Sequence, residues 1–131
     1  MKKLSETSFQ KARSFIFEHG RILDQRLFEF HFEGRSNEAV LLALKKYQNK
    51  DGGFGKALEP DLRTPLSTVY TTSQGLFILR ELGIPSQHPM VGHAIQYLLD
   101  QYDDKDSIWP IIPKKALELS LIHISEPTRP Y

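Results

Sequence analysis

The sequence contains no cysteine among its 131 residues, which excludes disulfide bonds and thiolate metal ligands. It also lacks any apolar run close to the roughly 18 residues that a membrane-spanning helix needs. The first residues, MKKLSETSF, carry two lysines, but the apolar stretch of a secretory signal does not follow them. These absences predict a cytoplasmic protein without a membrane span.

The sequence also has no large excess of positive or negative charge. The chain has 17 Lys and Arg against 16 Asp and Glu, a net charge of +1. This balance gives no electrostatic reason to expect nucleic acid or an anionic membrane as a partner. A hydrophobic content of 40% with 25% charged residues is typical of a soluble globular protein, and the length suits one domain.

Apolar periodicity and helix-end residues predict five helices and no strand, so the predicted fold class is all-α. The predicted helices cover about residues 5–19, 24–33, 36–48 and 67–82, and a fifth begins at Pro89. The expected buried face of the fifth helix has apolar residues at helical spacing: Val91, Ile95, Leu98 and Tyr102. Gly83 is expected to end the fourth helix in the left-handed conformation.

Two stretches share a pattern in which a Gln closes a helix, an acidic turn follows and an aromatic residue comes next. The first is QNKDGGF, from Gln48 to Phe54, and the second runs from Gln101 to Trp109. The glutamines lie 53 residues apart and the turn aspartates 55, so the second copy has a two-residue insertion. A period of this size is typical of stacked helix-pair repeats. We expect each Gln to bind backbone groups at neighbouring helix ends.

These motifs resemble the Gln-Trp repeat of the prenyltransferase and squalene cyclase-like α/α toroids. The run LLALKKYQNKDGGFGKALEPD, from Leu41 to Asp61, resembles a bacterial group of such repeat proteins without an assigned activity. Phe54 stands where the family more often has Trp, and Ser107 replaces a glycine. The resemblance covers residues 4–113 and implies a partial α/α toroid, in which an inner ring of helices would surround an apolar cavity.

The C-terminal run SLIHISEPTR, residues 120–129, resembles the translated read-through of a transposase sequencing adaptor. On this interpretation residues 114–131 are a tail, non-native from about residue 120, and the natural protein continues beyond Leu119. A genuine short polar tail is the alternative. A truncated repeat protein exposes apolar surface that the missing repeats would cover, so we expect self-association.

Glu59 and Asp61 are the first candidate ligand-binding residues. Two carboxylates held by a proline in a long loop can share a proton or ligate a cation. The favoured alternative is helix capping or an ion pair with Arg63.

Tyr70 and Thr71, at the polar start of the fourth helix, are the second candidates. Hydroxyl groups on an inner helix could line a central cavity and orient a ligand. They could equally satisfy backbone groups at neighbouring helix ends.

Neither a metal site nor a cofactor is predicted. Protein prenyltransferases of this architecture use an Asp, Cys and His zinc site, and the chain has no Cys. His88 and His93 are five residues apart and so do not share a helical face as an i, i+4 metal pair would. The Asp-x-Asp-Asp motif that supplies the proton in the cyclases is absent from the sequence.

Two functions are consistent with these features. The first is a non-catalytic repeat domain that binds a small apolar or isoprenoid-like ligand or a protein partner. It is favoured because the sequence shows no catalytic constellation. The second is a fragment of an isoprenoid cyclase or transferase-like enzyme whose catalytic residues lie in the missing C-terminal part.

Overall fold

The structure, a computed structural model, describes residues 3–110. Within this range the all-α prediction is confirmed. The five helices are α1 Glu6–His19, α2 Ile22–Phe32, α3 Asn37–Lys45, α4 Val69–Glu81 and α5 Pro89–Gln101. The described residues form two isolated antiparallel bridges and no sheet. The prediction for the tail from residue 114 lies outside the described residues.

The chain divides into two compact units, one up to Lys46 and the other from Tyr47 onward. In the first unit, α2 packs against both α1 and α3. The buried Phe28 of α2 contacts the rings of Phe9 and Phe17 of α1, at centroid distances of 5.5 and 6.2 Å. Ring contacts of this kind add about 0.5–1.5 kcal/mol each to the stabilisation from the area that they bury.

In the second unit, α4 packs against α5. The apolar residues buried there come from both helices and from the loop that precedes them: Phe54, Leu58, Leu79, Leu82, Met90, Val91, Ala94 and Tyr97. Residues 46–68, between α3 and α4, contain no helix or strand. The buried Phe54 shows that part of this loop belongs to the core of the unit.

Local signals predicted several helix ends correctly. Ser5 caps α1 by accepting a hydrogen bond from the amide of Ser8, and Pro89 is the first residue of α5. Gly83 has a φ of 72° after α4, and the amide of Ile84 donates to the carbonyl of Leu79. These ends are confirmed because capping depends on residues only a few positions apart.

Other boundaries differ from the prediction. Helix α2 begins two residues earlier, because the carboxylate of Asp24 accepts from the backbone amide of Arg21 and so lies inside the first turn. Helix α3 ends at Lys45, three residues before Gln48, which pairs with Phe54 instead.

The predicted buried face of α5 is only partly correct. Val91 is buried, but Ile95 is exposed. The buried residues that follow Val91 are Ala94 and Tyr97. The buried face is therefore rotated by about one residue from the predicted stripe. Tyr97 has a polar partner in the preceding loop, described below, and apolar spacing alone does not reveal it.

Candidate functional site

The first repeat turn closes through an antiparallel bridge between Gln48 and Phe54. The amide of Asn49 donates to the carbonyl of Gly53 at 2.8 Å. Gly52 has a φ of 90°, and a Cβ there would lie 2.3 Å from the carbonyl oxygen of His93 in α5. The turn therefore requires glycine both for its conformation and for its close approach to α5.

The Gln48 side chain joins this turn to α5. Its Nε2 donates to the carbonyl of Gly52 at 2.9 Å and to the carbonyl of Met90 at 3.0 Å. The first bond fixes the turn and the second holds the first turn of α5 against it. The side chain thus has the structural role that the sequence predicts.

Phe54 joins the same turn to α4. Its side chain is fully buried, and its amide donates to Oγ1 of Thr72 at 2.9 Å. A Cβ at Gly75 of α4 would lie 2.5 Å from the ring. The aromatic residue of the motif therefore packs directly onto the backbone of α4.

Asp51 and Ser67 form the centre of a polar network below the turn. Oδ1 of Asp51 accepts from the amide of Gly53 at 2.9 Å and from the hydroxyl of Ser67 at 2.7 Å. Nδ2 of Asn49 donates to the Ser67 hydroxyl oxygen at 2.9 Å. The hydroxyl of Tyr97 donates to the Ser67 carbonyl at 2.9 Å. The network ties the loop to α5.

The electrostatics of this network act on Tyr97. Burial, together with a smaller effect of the Asp51 charge, raises the pKa of the Tyr97 phenol to about 12. The phenol therefore stays protonated at neutral pH and acts as a hydrogen-bond donor.

The glycine-rich run does not form a backbone cradle for phosphate. The four amides from Gly52 to Gly55 donate to the Asn49 carbonyl, Asp51 Oδ1, Thr72 Oγ1 and the Tyr47 carbonyl. A phosphate cradle needs amides that point at the ligand. All four amides here are used within the fold.

The second repeat turn has related geometry with a different register. Asp103 and Ile108 form its antiparallel bridge, and Ser107 has a φ of 54°. Both Asp103 and Ser107 lie 55 residues after their counterparts, Gln48 and Gly52. The second bridge therefore begins at Asp103, two residues after Gln101, whereas the first bridge begins at Gln48 itself.

Trp109 closes this second turn. Its Nε1 donates to the carbonyl of Leu98 at 2.7 Å, and its ring lies 4.6 Å from that of Tyr102. Trp109 remains about half exposed, in contrast to the fully buried Phe54.

The structure places Glu59 and Asp61 in a tight turn of the loop before α4, where the amide of Leu62 donates to the carbonyl of Glu59. Asp61 is exposed and Glu59 is partly exposed. The ion pairs within residues 3–110 do not include Arg63, whose Nε contacts the Pro60 carbonyl at 3.4 Å.

Tyr70 and Thr71 are neighbours in the first turn of α4 but differ in exposure. Tyr70 is 46% exposed, whereas Thr71 is 1% exposed. The Thr71 hydroxyl accepts from the hydroxyl of Thr68, the N-cap of α4, at 2.8 Å. The backbone amide of Thr71 donates to Oγ1 of Thr68, so it is Thr68 that caps the helix. The ligand-binding roles of Tyr70 and Thr71 stay predictions.

A groove of about 470 Å³ runs beside the first repeat turn, and we call it the turn groove. Its lining consists of Gln48, Asn49, Lys50, Asp51, Lys56, Pro65, Leu66 and Ser67. Sequence reasoning missed Asn49, Ser67 and the two lysines as a group. The repeat motif and the residues before α4 come together only in the folded chain. No local sequence pattern predicts this contact.

The chain matches no protein-family model, no curated protein and no solved structure. The resemblance to α/α toroids therefore remains a prediction. Between residues 3 and 110, no helix combines the length and apolar character needed to cross a membrane. The same residues contain no cluster of three or more His, Asp or Glu side chains suited to a metal ion.

Proposed function

We propose that this chain is a non-catalytic part of a helical repeat protein of the α/α-toroid class, and that it binds a small apolar ligand on α4. The observation that carries the proposal is the division of α4 into two faces. One face is fixed to the repeat turn through Thr72 and Gly75. The other exposes the aromatic side chains of Tyr70 and Phe77.

The polar residues of the repeat motif support a structural role. Gln48, Asn49 and Asp51 each bind backbone or side-chain groups of the same unit. A catalytic acid, base or nucleophile needs a group that can reach a substrate. These side chains instead hold the loop before α4 and the first turn of α5 in place.

The exposed face of α4 supports ligand binding. Tyr70 and Phe77 are seven residues apart and so lie on one side of the helix, two turns from each other. Phe77 is 56% exposed. Ser73 lies between them and is also exposed. Aromatic groups with a nearby hydroxyl form the usual lining of a site for a small apolar ligand.

Calorimetric titration of the full chain with geraniol, an uncharged isoprenoid alcohol, tests this proposal. We expect saturable binding that the double variant Tyr70→Ala/Phe77→Ala weakens about tenfold or more, because burying each such side chain contributes roughly 1.5–3 kcal/mol. The control is Leu42→Ala, which removes an exposed apolar side chain from α3. Equal affinity in the double variant and the wild type would refute the proposal.

A further inference from the structure

The turn groove shares no lining residue with the exposed face of α4. Three of the polar side chains that line the groove already donate hydrogen bonds within the protein. Gln48 Nε2 donates to two carbonyls, and Asn49 Nδ2 donates to the Pro65 carbonyl and the Ser67 hydroxyl. The Ser67 hydroxyl donates to Asp51. A ligand in the groove can therefore draw donors from its two lysines.

Lys50 and Lys56 both line the turn groove and both are exposed. Neither belongs to an ion pair within residues 3–110. Asp51 is the acidic residue in the lining, so the groove carries one net positive charge. The two hydrogen bonds that Asp51 accepts from Gly53 and Ser67 offset part of its negative charge.

The backbone at Lys56 is strained. Lys56 and Ala57 have φ values of 54° and 63°, in the left-handed region. This region is strained for a residue with a Cβ, whereas glycine adopts it freely. A lysine at a position that favours glycine suggests that its charge is useful there, because strained backbone is concentrated at functional sites.

We propose that the turn groove binds a small phosphate-bearing molecule through Lys50 and Lys56. A lysine ammonium is a compact point charge with three donors and binds phosphate oxygens in that way. Pro65 and Leu66 provide an apolar wall for the body of a phosphate ester. The site is independent of the apolar ligand proposed for α4.

An NMR titration of the ¹⁵N-labelled full chain with inorganic phosphate, at constant ionic strength set by sodium chloride, tests the proposal. We expect saturable shifts at the amides of Asn49, Lys50, Lys56 and Ser67. Lys56→Gly should weaken phosphate binding about tenfold, the effect of losing one charge-assisted hydrogen bond. The same variant should not lower the unfolding midpoint, because glycine relieves the strained φ. Lys50→Gln should weaken binding similarly without altering the backbone.

Two controls separate the site from general charge effects. Ala57→Gly relieves the neighbouring strained residue without removing a charge, and it should keep the wild-type affinity. Lys105→Gln removes a lysine from the second repeat turn and should also keep it. The proposal fails if phosphate causes no saturable shifts, if neither Lys56→Gly nor Lys50→Gln weakens binding, or if either control weakens binding as much as they do.

Discussion

Gln48 and Gln101 follow similar apolar-periodic segments, yet their surroundings differ at the residue scale. Gln48 binds the carbonyls of Gly52 and Met90. Gln101 is the last residue of α5, and its side chain makes no hydrogen bond within residues 3–110. A glutamine therefore stabilises the first turn but not the second. In the second turn the side chain of Asp103 accepts hydrogen bonds from the amides of Lys105 and Asp106.

This contrast predicts unequal effects of two identical substitutions. Gln48→Ala should lower the free energy of unfolding by about 1–3 kcal/mol, because two partly buried carbonyls lose their donor. Gln101→Ala is the matched control and should change it by less than about 0.5 kcal/mol. Urea denaturation followed by circular dichroism measures both. Equal midpoints for Gln48→Ala and the wild type would contradict the structural role of Gln48.

Two helical glycines provide a second residue-scale prediction. A Cβ at Gly75 would lie 2.5 Å from the Phe54 ring, whereas a Cβ at Gly92 meets no atom within 4 Å. Gly75→Ala should therefore destabilise the protein by about 1–3 kcal/mol through overpacking. Gly92→Ala should stabilise it by up to about 1 kcal/mol, since alanine has the higher helix propensity. Thermal unfolding distinguishes them, and a stabilising Gly75→Ala would show that Phe54 packs elsewhere.

At the element scale, each repeat turn has a residue with positive φ shortly before the second partner of its antiparallel bridge. The residue type at this position differs between the two turns. Gly52 takes this conformation in the first turn and Ser107 in the second. The first turn packs against α5 at His93, and its aromatic residue is buried. The second turn is exposed, so it stabilises the fold less.

Ser107→Gly should raise the free energy of unfolding by up to about 1 kcal/mol, because glycine avoids the Cβ strain at a φ of 54°. Ser86→Gly, at an exposed serine without a positive φ, is the control. It should lower stability slightly, because glycine gives the unfolded chain more freedom. Denaturant titration measures both changes. A loss of stability in both variants would argue against the left-handed conformation at Ser107.

The bond from Tyr97 to the loop carbonyl of Ser67 predicts an alkaline transition. Burial, with a smaller effect of Asp51, raises the pKa of Tyr97 from 10.0 to about 12. The folded state therefore favours the neutral phenol. The contribution of the protonated Tyr97 phenol to the free energy of unfolding is fully present below pH 10 and is lost as the pH rises to about 12.

Unfolding midpoints measured from pH 8 to 12 should fall more steeply for the wild type than for Tyr97→Phe, which cannot ionise at this position. The variant should be less stable at neutral pH, because the Ser67 carbonyl loses its donor. Parallel pH profiles for the two proteins would show that Tyr97 does not couple to folding.

At the scale of the whole molecule, large apolar side chains remain exposed in both units. Phe15, Phe32 and Leu42 are exposed in the first unit, and Phe77 and Leu99 in the second. Scattered exposed apolar residues are normal, but larger patches are typical of interaction surfaces. These side chains are the candidates for such a surface.

We therefore expect the full chain to self-associate. Sedimentation velocity should show a mass that rises with concentration, together with binding of a hydrophobic dye. Phe15→Lys/Leu42→Lys should reduce association by placing charge on the exposed faces of α1 and α3. Gln10→Lys, which adds charge to α1 without removing apolar surface, is the control. A single monomer at all concentrations without dye binding would contradict the expectation.

Within residues 3–110, the sequence by itself determined the number of helices, most of their ends and the position of the first repeat turn. These features depend on caps, prolines and glycines that act over a few residues, as at Ser5, Gly83 and Pro89. Only the tertiary structure decided which face of α5 is buried, which residue begins the bridge of the second turn and which side chains line the turn groove. Each of these depends on contacts between distant segments, such as Gln48 with Met90 and Tyr97 with Ser67. Apolar periodicity gives the spacing of the buried residues along a helix. It does not show which other segment packs against the helix, and that contact determines which face is buried.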